Sequence, residues 1–553
     1  MDRPFCKTAI FICVFLIFCL VTVPASATAG SAVPAARVYA SSSSSPSYIP
    51  PLAGTHWYTG PHEGPVADIY VPPPGVMPVI VLQGSPYEMG YQYGLQAPAY
   101  IAIARDAAWA SALSRQTYAD VITNSSIYHQ YITKELPDFD FSAFFRGMSD
   151  AMNDQGIPFS PVDPIVMLYW GGRQGPGPAE HCTAFAAYGN TTGGSTVVGE
   201  NFDYYQVPSN SYPVLLALYP ENGYASIVPA GAGRTGSNMA VNENGLVYIV
   251  TAAPSQGKGD TGPGITGYLS LPYVAMTAGS VPEAERFIVN STRGFALNHV
   301  LVDRNGTAEV IESTRVRHAV RHPGDSGNAT YLIATNHYLN PAMKPSQPVW
   351  NPLQYNPSSY YRYLTAEKMI TDNYGRVNYS TAATILSSTD WWDGSAWHTN
   401  DPWSTNTINR FRPDVASLYS VIAVPDERVV SVCTGNPGMP YWGTRAAGET
   451  GTYVNFSVGK SPGMLVYTLK TDADSMMWKT VRVMGSNPPD AVTALWAECE
   501  DRYWEAVFWQ DRAVLEKDRT VRAVALGRSA TGFSDVIAHA EKIQDMCRDG
   551  RCL

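Results

Sequence analysis

The alternation of apolar and polar residues divides the chain into a mainly helical part before residue 181 and a strand-rich part after it. Apolar residues at 79–82 predict a short buried strand, and the Ala-rich run at 99–113 favours a helix. Apolar residues recur at helical spacing over 141–155, and Gly156 follows as a stop signal. The segment before Cys182 is therefore expected to be folded and mainly helical over about a hundred residues.

After Cys182 the pattern predicts strands, with a few helices between them. Strands are expected at 245–253 and 331–335, and hairpins join 300–303 to 308–312 and 417–424 to 428–433. Helices are expected at 281–289 and 360–372, and in the tail at 490–514 and 533–546. Hairpins with interspersed helices predict an α+β sandwich in which sheets pack on each other and helices cover them.

The hairpin predicted at 181–205 begins on a thiol, that of Cys182. If cleavage made Cys182 a new N-terminus, its own α-amine, with an ordinary pKa near 8, would serve as the general base. Asp203 lies 21 residues further on, at the far end of the second strand, where it is expected to orient that amine. The alternative is that Cys182 is an inert buried cysteine.

The N-terminal residues predict export. Residues 1–27 combine a positive start, an apolar core of about 16 residues and a small-residue cleavage site at Ala25-Ser26-Ala27, as in a signal peptide. The core is short for a membrane span, so no integral span is expected after its removal, although a retained anchor is the alternative. Residues 28–55 are rich in Ser and Pro and predict a linker. We expect a secreted or extracytoplasmic protein, or one at the cell surface if the anchor is retained.

The composition of the chain restricts the classes of binding partner. The net charge of −10 argues against nucleic acid or an anionic membrane as the main partner. Removal of residues 1–27 would leave five cysteines, and this odd number indicates one free thiol, for which Cys182 is the candidate. Cys547 and Cys552 are close enough in sequence for a local disulfide. N-glycosylation sequons occur at Asn124, Asn190, Asn290, Asn305, Asn328, Asn378 and Asn455.

Other motifs compete with the Cys182 hairpin. Residues 231–236 match GxGxxG without an obvious following helix, and residues 324–327 read GDSG in a polar loop. His318 and His322 have metal-ligand spacing, but Pro323 disrupts a helical face, so no zinc site is expected there. A thiol nucleophile with its own amine as base needs neither a metal nor an organic cofactor. The Trp-rich stretch at 391–403 is the best candidate for sugar or lipid-headgroup binding.

Seven sequence blocks, in order along the chain, resemble the acyl-CoA:6-aminopenicillanic acid acyltransferase family. The members of this family are penicillin acyltransferase-like hydrolases that use an N-terminal cysteine as the nucleophile. The blocks include GSPYEMGYQYG, FRGMSDAMNDQG, CTAF with ENFD, and GSNMAVNENGL. ATNHYL, SSYYRYL and SLYSVIAVPDERVVSVCTGNPG complete the set. The blocks keep the family order from about residue 79 to residue 437, and the segment after about residue 453 is not covered.

The resemblance implies a precursor that cuts itself between His181 and Cys182, after which the two chains stay associated. It implies a four-layer αββα sandwich. The corresponding domains are a helical proregion at 56–181, a catalytic core at 182–452 and a C-terminal extension ending in helices at 453–553.

The resemblance also implies roles for individual residues. Cys182 would be the nucleophile, its amine the base, and Asp203 the residue that holds the amine. Asn336 would donate to the oxyanion, a backbone N–H near Thr251 would supply a second donor, and Arg362 would stabilise the surroundings of Cys182 and Asp203. Two departures are His181, where the acyltransferase has Gly, and Glu200, where bile-salt hydrolase relatives have Arg and the acyltransferase has Gln. Residues expected around the substrate pocket are Thr251, Tyr204, Tyr205 and Glu200.

The function expected from these features is an exported, self-processing amidohydrolase or acyltransferase. It would cleave linear amide C–N bonds of N-acyl compounds or small peptides through a thioester on Cys182. One alternative is a secreted carbohydrate- or envelope-binding protein that uses the 391–403 stretch. Another is phospholipase-like ester hydrolysis.

Overall fold

The computed structural model describes residues 77–170, 182–205, 212–440 and 451–548, except for positions 326, 328–329, 348, 400, 402, 411, 413–414 and 486–487. The predictions made for the signal sequence at 1–27, the linker at 28–55 and His181 therefore lie outside the described residues. So does Cys552, which is close enough in sequence to Cys547 for a local disulfide.

The described residues before Cys182 form one strand and five helices. They are β1 (Val79–Gly84), α1 (Pro86–Gln96), α2 (Pro98–Leu113), α3 (Tyr118–Glu135), α4 (Phe141–Asp154) and α5 (Asp163–Tyr169). The strand and the two helices predicted here are confirmed. The turn between β1 and α1 is a capping box, because Ser85 and Glu88 each accept a hydrogen bond from the other's backbone N–H.

Two large sheets form the body of the fold. The first has eight strands in the order β1-β4-β5-β6-β7-β8-β9-β10, and the second has the order β11-β2-β3-β14-β15, with β16 and β17 both paired to β15. The remaining strands are β2 (Thr183–Gly189), β3 (Gly194–Tyr205), β4 (Pro213–Pro220), β5 (Ser226–Gly231), β6 (Met239–Asn242), β7 (Val247–Ala252), β8 (Leu297–Val302), β9 (Ala308–Ser313), β10 (His318–Arg321), β11 (Tyr331–Ala334), β12 (Trp391–Trp392), β13 (Trp397–His398), β14 (Val415–Val424), β15 (Val429–Asn436), β16 (Met439–Pro440) and β17 (Val454–Ser457).

Helices follow the strands along the rest of the chain. They are α6 (Gly267–Thr277), α7 (Val281–Asn290), α8 (Pro352–Tyr355), α9 (Pro357–Asp372), α10 (Tyr379–Leu386), α11 (Pro462–Met484), α12 (Asp490–Leu515) and α13 (Arg519–Met546), with a 3-10 helix at Pro341–Ser346. Every strand predicted after Cys182, and both helices predicted within this core, are confirmed.

The side chains of each strand point alternately to the two faces of its sheet, and the residues that pack on each face define four layers. On β2, Ala184 and Ala186 pack in one core with Val79 and Val81 of the first sheet, whereas Phe185 packs on the other face with residues of α9 and α10. The outer face of the first sheet packs against α1, α2, α4, α5 and α6. Because successive side chains of a strand point to opposite faces, this arrangement is an αββα sandwich, and the predicted fold class is confirmed.

Side-chain amides complete the free edge of β1. The backbone N–H of Val81 donates to the side chain of Gln96, and that of Gln83 donates to the side chain of Gln92. Each glutamine side chain in turn donates to the backbone carbonyl of the same strand residue. The N–H of Val79 donates to Thr531 of α13. Since an unpaired strand edge invites association with another chain, α1 and the C-terminal helices together close this side of the sandwich.

The tail contains three long helices, two of which were expected. The prediction of α12 is confirmed, α13 begins at Arg519 rather than at 533, and α11 was not predicted. In the part of the chain that the structure describes, no helix is long and apolar enough to cross a membrane.

The cysteines differ from the expectation of one free thiol. Cys182, Cys433 and Cys499 all carry buried thiols, and Cys547 is disulfide-bonded. An odd number therefore did not identify a unique reactive cysteine, so Cys182 must be distinguished by its surroundings.

A buried histidine in the tail predicts a pH-dependent stability. His539 Nδ1 lies 3.1 Å from Asp535 Oδ1, and its Nε2 lies 3.7 Å from Glu498 Oε1. Burial lowers the pKa of His539, but the two carboxylates outweigh burial and raise the pKa above its usual value. The stabilisation is therefore complete below the ordinary pKa of about 6.5 and is lost as pH rises through the raised pKa.

We expect His539→Gln to lower Tm by about 2 °C or more at about pH 5, and by progressively less toward about pH 9. Thermal unfolding across this pH range measures the difference. His398→Gln is the control, because His398 is exposed and pairs with Asp393 at the surface, where ion pairs contribute little. A difference from wild type that stays constant with pH would contradict the assignment.

Candidate active site

Cys182 occupies the position directly before β2, at the mouth of the β2–β3 hairpin. Its side chain is 3% exposed, and its Sγ lies 4.0 Å from the backbone carbonyl oxygen of Asp203. The register places Thr183 opposite Asn201, so the start of β2 meets the end of β3. The structure therefore brings the thiol and Asp203 together, as the hairpin predicts.

Asn238 supplies the side-chain amide beside the thiol, and no sequence pattern singled out this residue. Its Nδ2 donates to Cys182 Sγ at 3.0 Å. Its backbone carbonyl accepts from Val250 N–H at 2.8 Å, which fixes the residue against β7. Ser237 Oγ donates to Asn238 Oδ1 at 3.4 Å and accepts in turn from the Tyr419 hydroxyl. A polar chain from Tyr419 through Ser237 and Asn238 thus ends on the sulfur.

Arg362 fixes the backbone around Cys182 from the opposite side. Helix α9 begins at Pro357 and presents this fully buried guanidinium to the Cys182 carbonyl oxygen. It also donates to Thr183 Oγ1 at 3.0 Å and to Asn336 Oδ1 at 2.7 Å. Burial lowers the pKa of Arg362 to about 10, so the group remains a cation at neutral pH. Arg362 therefore links the two candidate residues Cys182 and Asn336.

Asn336 lies just beyond the end of β11. Its backbone N–H donates to Ser359 Oγ, and its Nδ2 donates to the Ala252 carbonyl oxygen at 2.8 Å. An amide nitrogen has two N–H groups, and among the described residues Nδ2 makes this one hydrogen bond, so its second N–H is available to a ligand. Thr251, the residue before Ala252, donates through Oγ1 to the Thr335 carbonyl oxygen at 2.7 Å. The structure thus brings Thr251 and Asn336 together.

His337 follows Asn336 but has no acid–base role near neutral pH. Its Nδ1 lies 2.7 Å from Ser359 Oγ in the buried interior. Burial, with help from Arg321 and Arg362, lowers the pKa of His337 to about 3. The ring is therefore neutral and packs as part of the support for α9.

The Asp203 carboxyl is fully buried and held by residues of two other segments. Its Oδ1 accepts from Ser417 Oγ at 2.5 Å, and its Oδ2 lies 3.6 Å from Arg410 Nε. Burial raises the pKa of Asp203 to about 6, although Arg410, Ser417 and Arg362 each oppose the shift. Within the described residues, Oδ2 accepts no hydrogen bond, which leaves it available to a further donor.

Arg410 and Ser417 are two further residues of the site that the sequence did not reveal. Ser417 stands directly opposite Asp203 in the β3–β14 pairing, just before an irregularity in the register. Arg410 donates to Ser358 Oγ and to the Thr405 carbonyl, and burial lowers its pKa to about 9. Long-range pairing places both residues at Asp203, and no local pattern signals it.

The expected pocket residues lie in different surroundings. Glu200 is fully buried, and Tyr204 is 5% exposed and stacks on Phe202 with ring centroids 5.6 Å apart. Both Glu200 and Tyr204 lie on the face of β3 that points between the sheets, because that strand alternates. The Tyr205 side chain and His181 lie outside the described residues.

The competing motifs have ordinary structural places. Residues 231–236 join β5 to β6, so a strand rather than a helix follows the GxGxxG match. His318 lies on β10, and His322 Nδ1 is 3.9 Å from Glu309 Oε2. Across the described residues, no group of three or more potential metal ligands is assembled.

The Trp-rich stretch forms the small β12–β13 hairpin beside the candidate site. Trp391 stacks on His398 with centroids 3.9 Å apart, and packs on Tyr361, the neighbour of Arg362. Trp397 and Trp403 are 38% and 56% exposed. The hairpin thus presents aromatic rings to solvent close to α9.

The αββα sandwich, with a cysteine at the start of the hairpin that opens its second sheet, has the fold of an N-terminal-nucleophile hydrolase. Residues 190–438 match the family model described as Acyl-coenzyme A:6-aminopenicillanic acid acyl-transferase. This match confirms the resemblance over residues 190–438, whereas Cys182 and the blocks before residue 190 lie outside it. It covers less than half of the chain and includes Asp203, Asn238, Asn336, Arg362 and Arg410.

A curated relative and several solved structures are also similar to parts of the chain. An uncharacterized protein of Archaeoglobus fulgidus is 22% identical over 354 residues, which are 54% of this chain and 55% of the relative. The chain thus spans about half the length of the curated relative it matches.

The solved structures share 14% identity with this chain. A Caenorhabditis elegans N-acylethanolamine-hydrolyzing acid amidase ortholog aligns with a TM-score of 0.33, covering 44% of this chain and 93% of its own. Penicillin V acylase from Agrobacterium tumefaciens aligns with a TM-score of 0.30, covering 46% and 83%. A mutant form of the conjugated bile acid hydrolase from Clostridium perfringens aligns with a TM-score of 0.29, covering 51% and 98%.

Arg362→Lys is expected to lower any Cys182-dependent turnover by about 100-fold or more. Lysine keeps the charge but cannot make the three directed contacts of the guanidinium, so the Cys182 backbone and Asn336 would shift. Steady-state kcat/KM measures the loss. Arg376→Lys, on the exposed turn after the same helix, is the matched control and should behave as wild type. Wild-type turnover in Arg362→Lys would remove this positioning role.

Proposed function

We propose that this protein is a self-processing cysteine amidohydrolase or acyltransferase that cleaves linear amide bonds. The observation that carries the proposal is the convergence on Cys182 of three groups from separate elements. Asn238 Nδ2 contacts the sulfur, Arg362 contacts the backbone carbonyl, and Asp203 lies at the end of the paired strand. An inert buried cysteine has no need of such a set.

Self-processing would begin with attack of the Cys182 sulfur on the carbonyl carbon of residue 181. The peptide C–N bond breaks, the nitrogen takes a proton and becomes the α-amine of Cys182, and water then hydrolyses the thioester. One chain would end at His181 and the other would begin at Cys182. Asp203 supports this proposal, since its buried Oδ2 has room for one more donor and an α-ammonium group would supply it.

Turnover would use the same atoms in a second reaction. The α-amine takes the thiol proton, the thiolate attacks the substrate carbonyl, and the oxyanion accepts hydrogen bonds from side-chain amides. The C–N bond breaks, the amine product leaves with the proton, and an acyl thioester remains on Cys182. Water then gives hydrolysis, whereas an amine acceptor gives acyl transfer. Asn238 and the remaining N–H of Asn336 are the amide donors in reach of this chemistry.

The substrate class we propose is N-acyl compounds or small peptides. Phe202 and Tyr204 form an apolar surface on the strand that leads to Asp203, which suits an acyl chain. Outside the cell acyl-CoA is scarce, so we propose hydrolysis over CoA-dependent transfer.

Export and glycosylation are part of the same proposal. The predicted signal at 1–27 supports export. Of the sequon asparagines within the described residues, five are exposed, namely Asn190, Asn290, Asn305, Asn378 and Asn455. Exposed acceptors are compatible with glycan attachment during export.

Mass spectrometry of a trapped acyl-enzyme tests the proposal. The purified protein is mixed with a panel of N-acyl amides and quenched in acid, and the chain that begins at Cys182 is weighed. We expect the acyl mass on the Cys182 peptide, and its release by hydroxylamine, which cleaves thioesters. Cys433→Ala, which lacks a different buried thiol, should still be acylated. Turnover without acylation of Cys182 would contradict the mechanism.

The second candidate function is carbohydrate or envelope binding by the Trp-rich stretch at 391–403, favoured by the exposed side chains of Trp397 and Trp403. Glycan-array binding that is lost in Trp397→Ala and Trp403→Ala, with no acylation of Cys182 in wild type, would favour this candidate.

A further inference from the structure

Glu200 is a buried carboxyl group beside the candidate nucleophile, and the mechanism above does not use it. On β3 it stands opposite Ala184 of β2 and Val421 of β14, two apolar neighbours. Its side chain is 0% exposed and points into the layer between the two sheets. Within the described residues, neither carboxyl oxygen makes a hydrogen bond of ordinary geometry.

Such a group is stable only in its neutral form. An ionised carboxylate without partners in an apolar layer pays a large desolvation cost, which protonation removes. Burial raises the pKa of Glu200 well above its usual range, the Asn238 amide lowers it, and the Asp203 charge raises it further. Glu200 therefore carries a proton under conditions in which exposed glutamates do not.

Three polar side chains approach Glu200 within the described structure. Tyr419 approaches it from β14 and Asp203 from its own strand, while the Asn238 amide, which also donates to Cys182 Sγ, approaches from the segment before β6. Burial, with a contribution from Glu200, also raises the pKa of Tyr419 well above its usual value, so that hydroxyl stays neutral. The cations of Arg362 and Arg410 contact the Cys182 carbonyl oxygen and the Asp203 carboxyl group instead.

We propose that Glu200 is a positioning residue that acts through Asn238, and that its ionisation disables Cys182. This inference rests on the proposed function, because it assigns the pH control of that site. While Glu200 is neutral, the Asn238 amide donates to Cys182 Sγ. The Asn238 amide has two N–H groups, but an ionised carboxylate is the stronger acceptor and draws the side chain out of alignment with the sulfur.

The charge of an ionised Glu200 acts in the same direction as the lost hydrogen bond. A negative charge near Cys182 disfavours the thiolate and the oxyanion, because like charges repel across a medium of low dielectric constant. Both effects predict that the reactivity of Cys182 is restrained as pH rises, although an ordinary thiol becomes more reactive at alkaline pH.

Glu200→Gln tests the inference, because glutamine has the size of a protonated glutamic acid and cannot ionise. We expect the rate of Cys182 alkylation by iodoacetamide to match wild type at about pH 6 and to exceed it by about tenfold or more at about pH 9. The kcat/KM profile with an N-acyl amide should diverge in the same way. Glu200→Leu, which likewise cannot ionise, should show the same excess over wild type at about pH 9.

Glu309→Gln is the matched control. Glu309 is also buried, on β9, and burial raises its pKa to about 7. It lies outside the chain formed by Tyr419, Ser237 and Asn238, so this variant should keep the wild-type pH dependence of alkylation.

Infrared difference spectra of wild type against Glu200→Gln at neutral pH give a readout that needs no substrate. We expect a carbonyl band of a protonated carboxylic acid in wild type only. Absence of that band, or the same alkylation profile in both proteins, would overturn the inference. A protein that shows the band and the divergent alkylation but hydrolyses no amide would fail the proposed function while keeping this assignment of Glu200.

Discussion

Cys182→Ala is expected to yield one uncut chain, where the wild-type protein yields two chains that meet between His181 and Cys182. The reason is that the proposed cleavage uses the Cys182 sulfur as its only nucleophile, and alanine offers none. Intact-mass analysis of the two purified proteins measures this directly. Amide turnover should fall by about 10⁴-fold or more, since removal of a nucleophile leaves only the contribution of binding and oxyanion stabilisation.

Cys499→Ala is the control for this result. Cys499 is also a buried thiol, but burial and nearby carboxylates raise its pKa to about 12, so it does not form a thiolate near neutral pH. This variant should be cut and active. Wild-type protein that remains a single chain would remove the α-amine base and leave the β12–β13 hairpin as the functional surface.

Cys182→Ser separates cleavage from catalysis. A hydroxyl can attack the preceding carbonyl but is a weaker nucleophile than a thiolate near neutral pH. We therefore expect slow cleavage and a much lower turnover. Full turnover in Cys182→Ser would contradict a thiolate mechanism.

The parts of the site that could be predicted from sequence lie where local signals are strong. The β2–β3 hairpin has alternating strands and a turn rich in Gly, Asn and Thr, which placed Cys182 and Asp203 at its open end. Asn336 follows β11 because that strand is a short apolar run that ends there. Local patterning thus set the position of each residue, although not the contacts between them.

The residues that were missed reach the site through long-range packing. Ser417 meets Asp203 only because β14 pairs with β3 in a register that shifts after Ser417. Asn238 lies directly before β6 of the other sheet and reaches the sulfur across the interface between the sheets. Neither contact leaves a periodic trace in the sequence, since sheet register and sheet-on-sheet packing are set by the whole core.

Helix α13 in the C-terminal tail is a second example of structure that the sequence pattern did not predict. The first half of α13 was missed because most of its buried residues are small, among them Ala523, Gly527 and Ser529. Small residues allow the helix to lie close to its neighbours, and Ser529 Oγ donates to the Ala506 carbonyl of α12. A pattern of large apolar residues cannot detect such a face.

Asp203→Asn is expected to reduce kcat/KM by about 10³-fold and to destabilise the fold as well. The substitution keeps the shape of the side chain but removes its negative charge. Among the described residues, Asp203 is the only carboxylate that contacts Arg410, and its charge also favours the charged form of the buried Arg362. Removing one partner of a buried ion pair costs about 3–5 kcal/mol. An asparagine also cannot hold an α-ammonium group by charge, so the proposed base loses its orientation. Steady-state kinetics and thermal unfolding measure the two effects.

Two variants separate the charge of Asp203 from its surroundings. Ser417→Ala removes the hydrogen bond to Oδ1 and leaves the charge, so we expect a loss of only about tenfold in kcat/KM. Asp163→Asn is a control that changes another buried aspartate, one that accepts a hydrogen bond from Trp109 Nε1. Asp163 makes no contact with the residues of the candidate site in the described structure, so this variant should affect stability without affecting kcat. If Asp203→Asn lost stability but kept its turnover, the carboxylate would serve the two arginines alone. The α-amine would then have to be oriented by another group, so the order of effects across these three variants decides whether Asp203 belongs to the chemistry or to the fold.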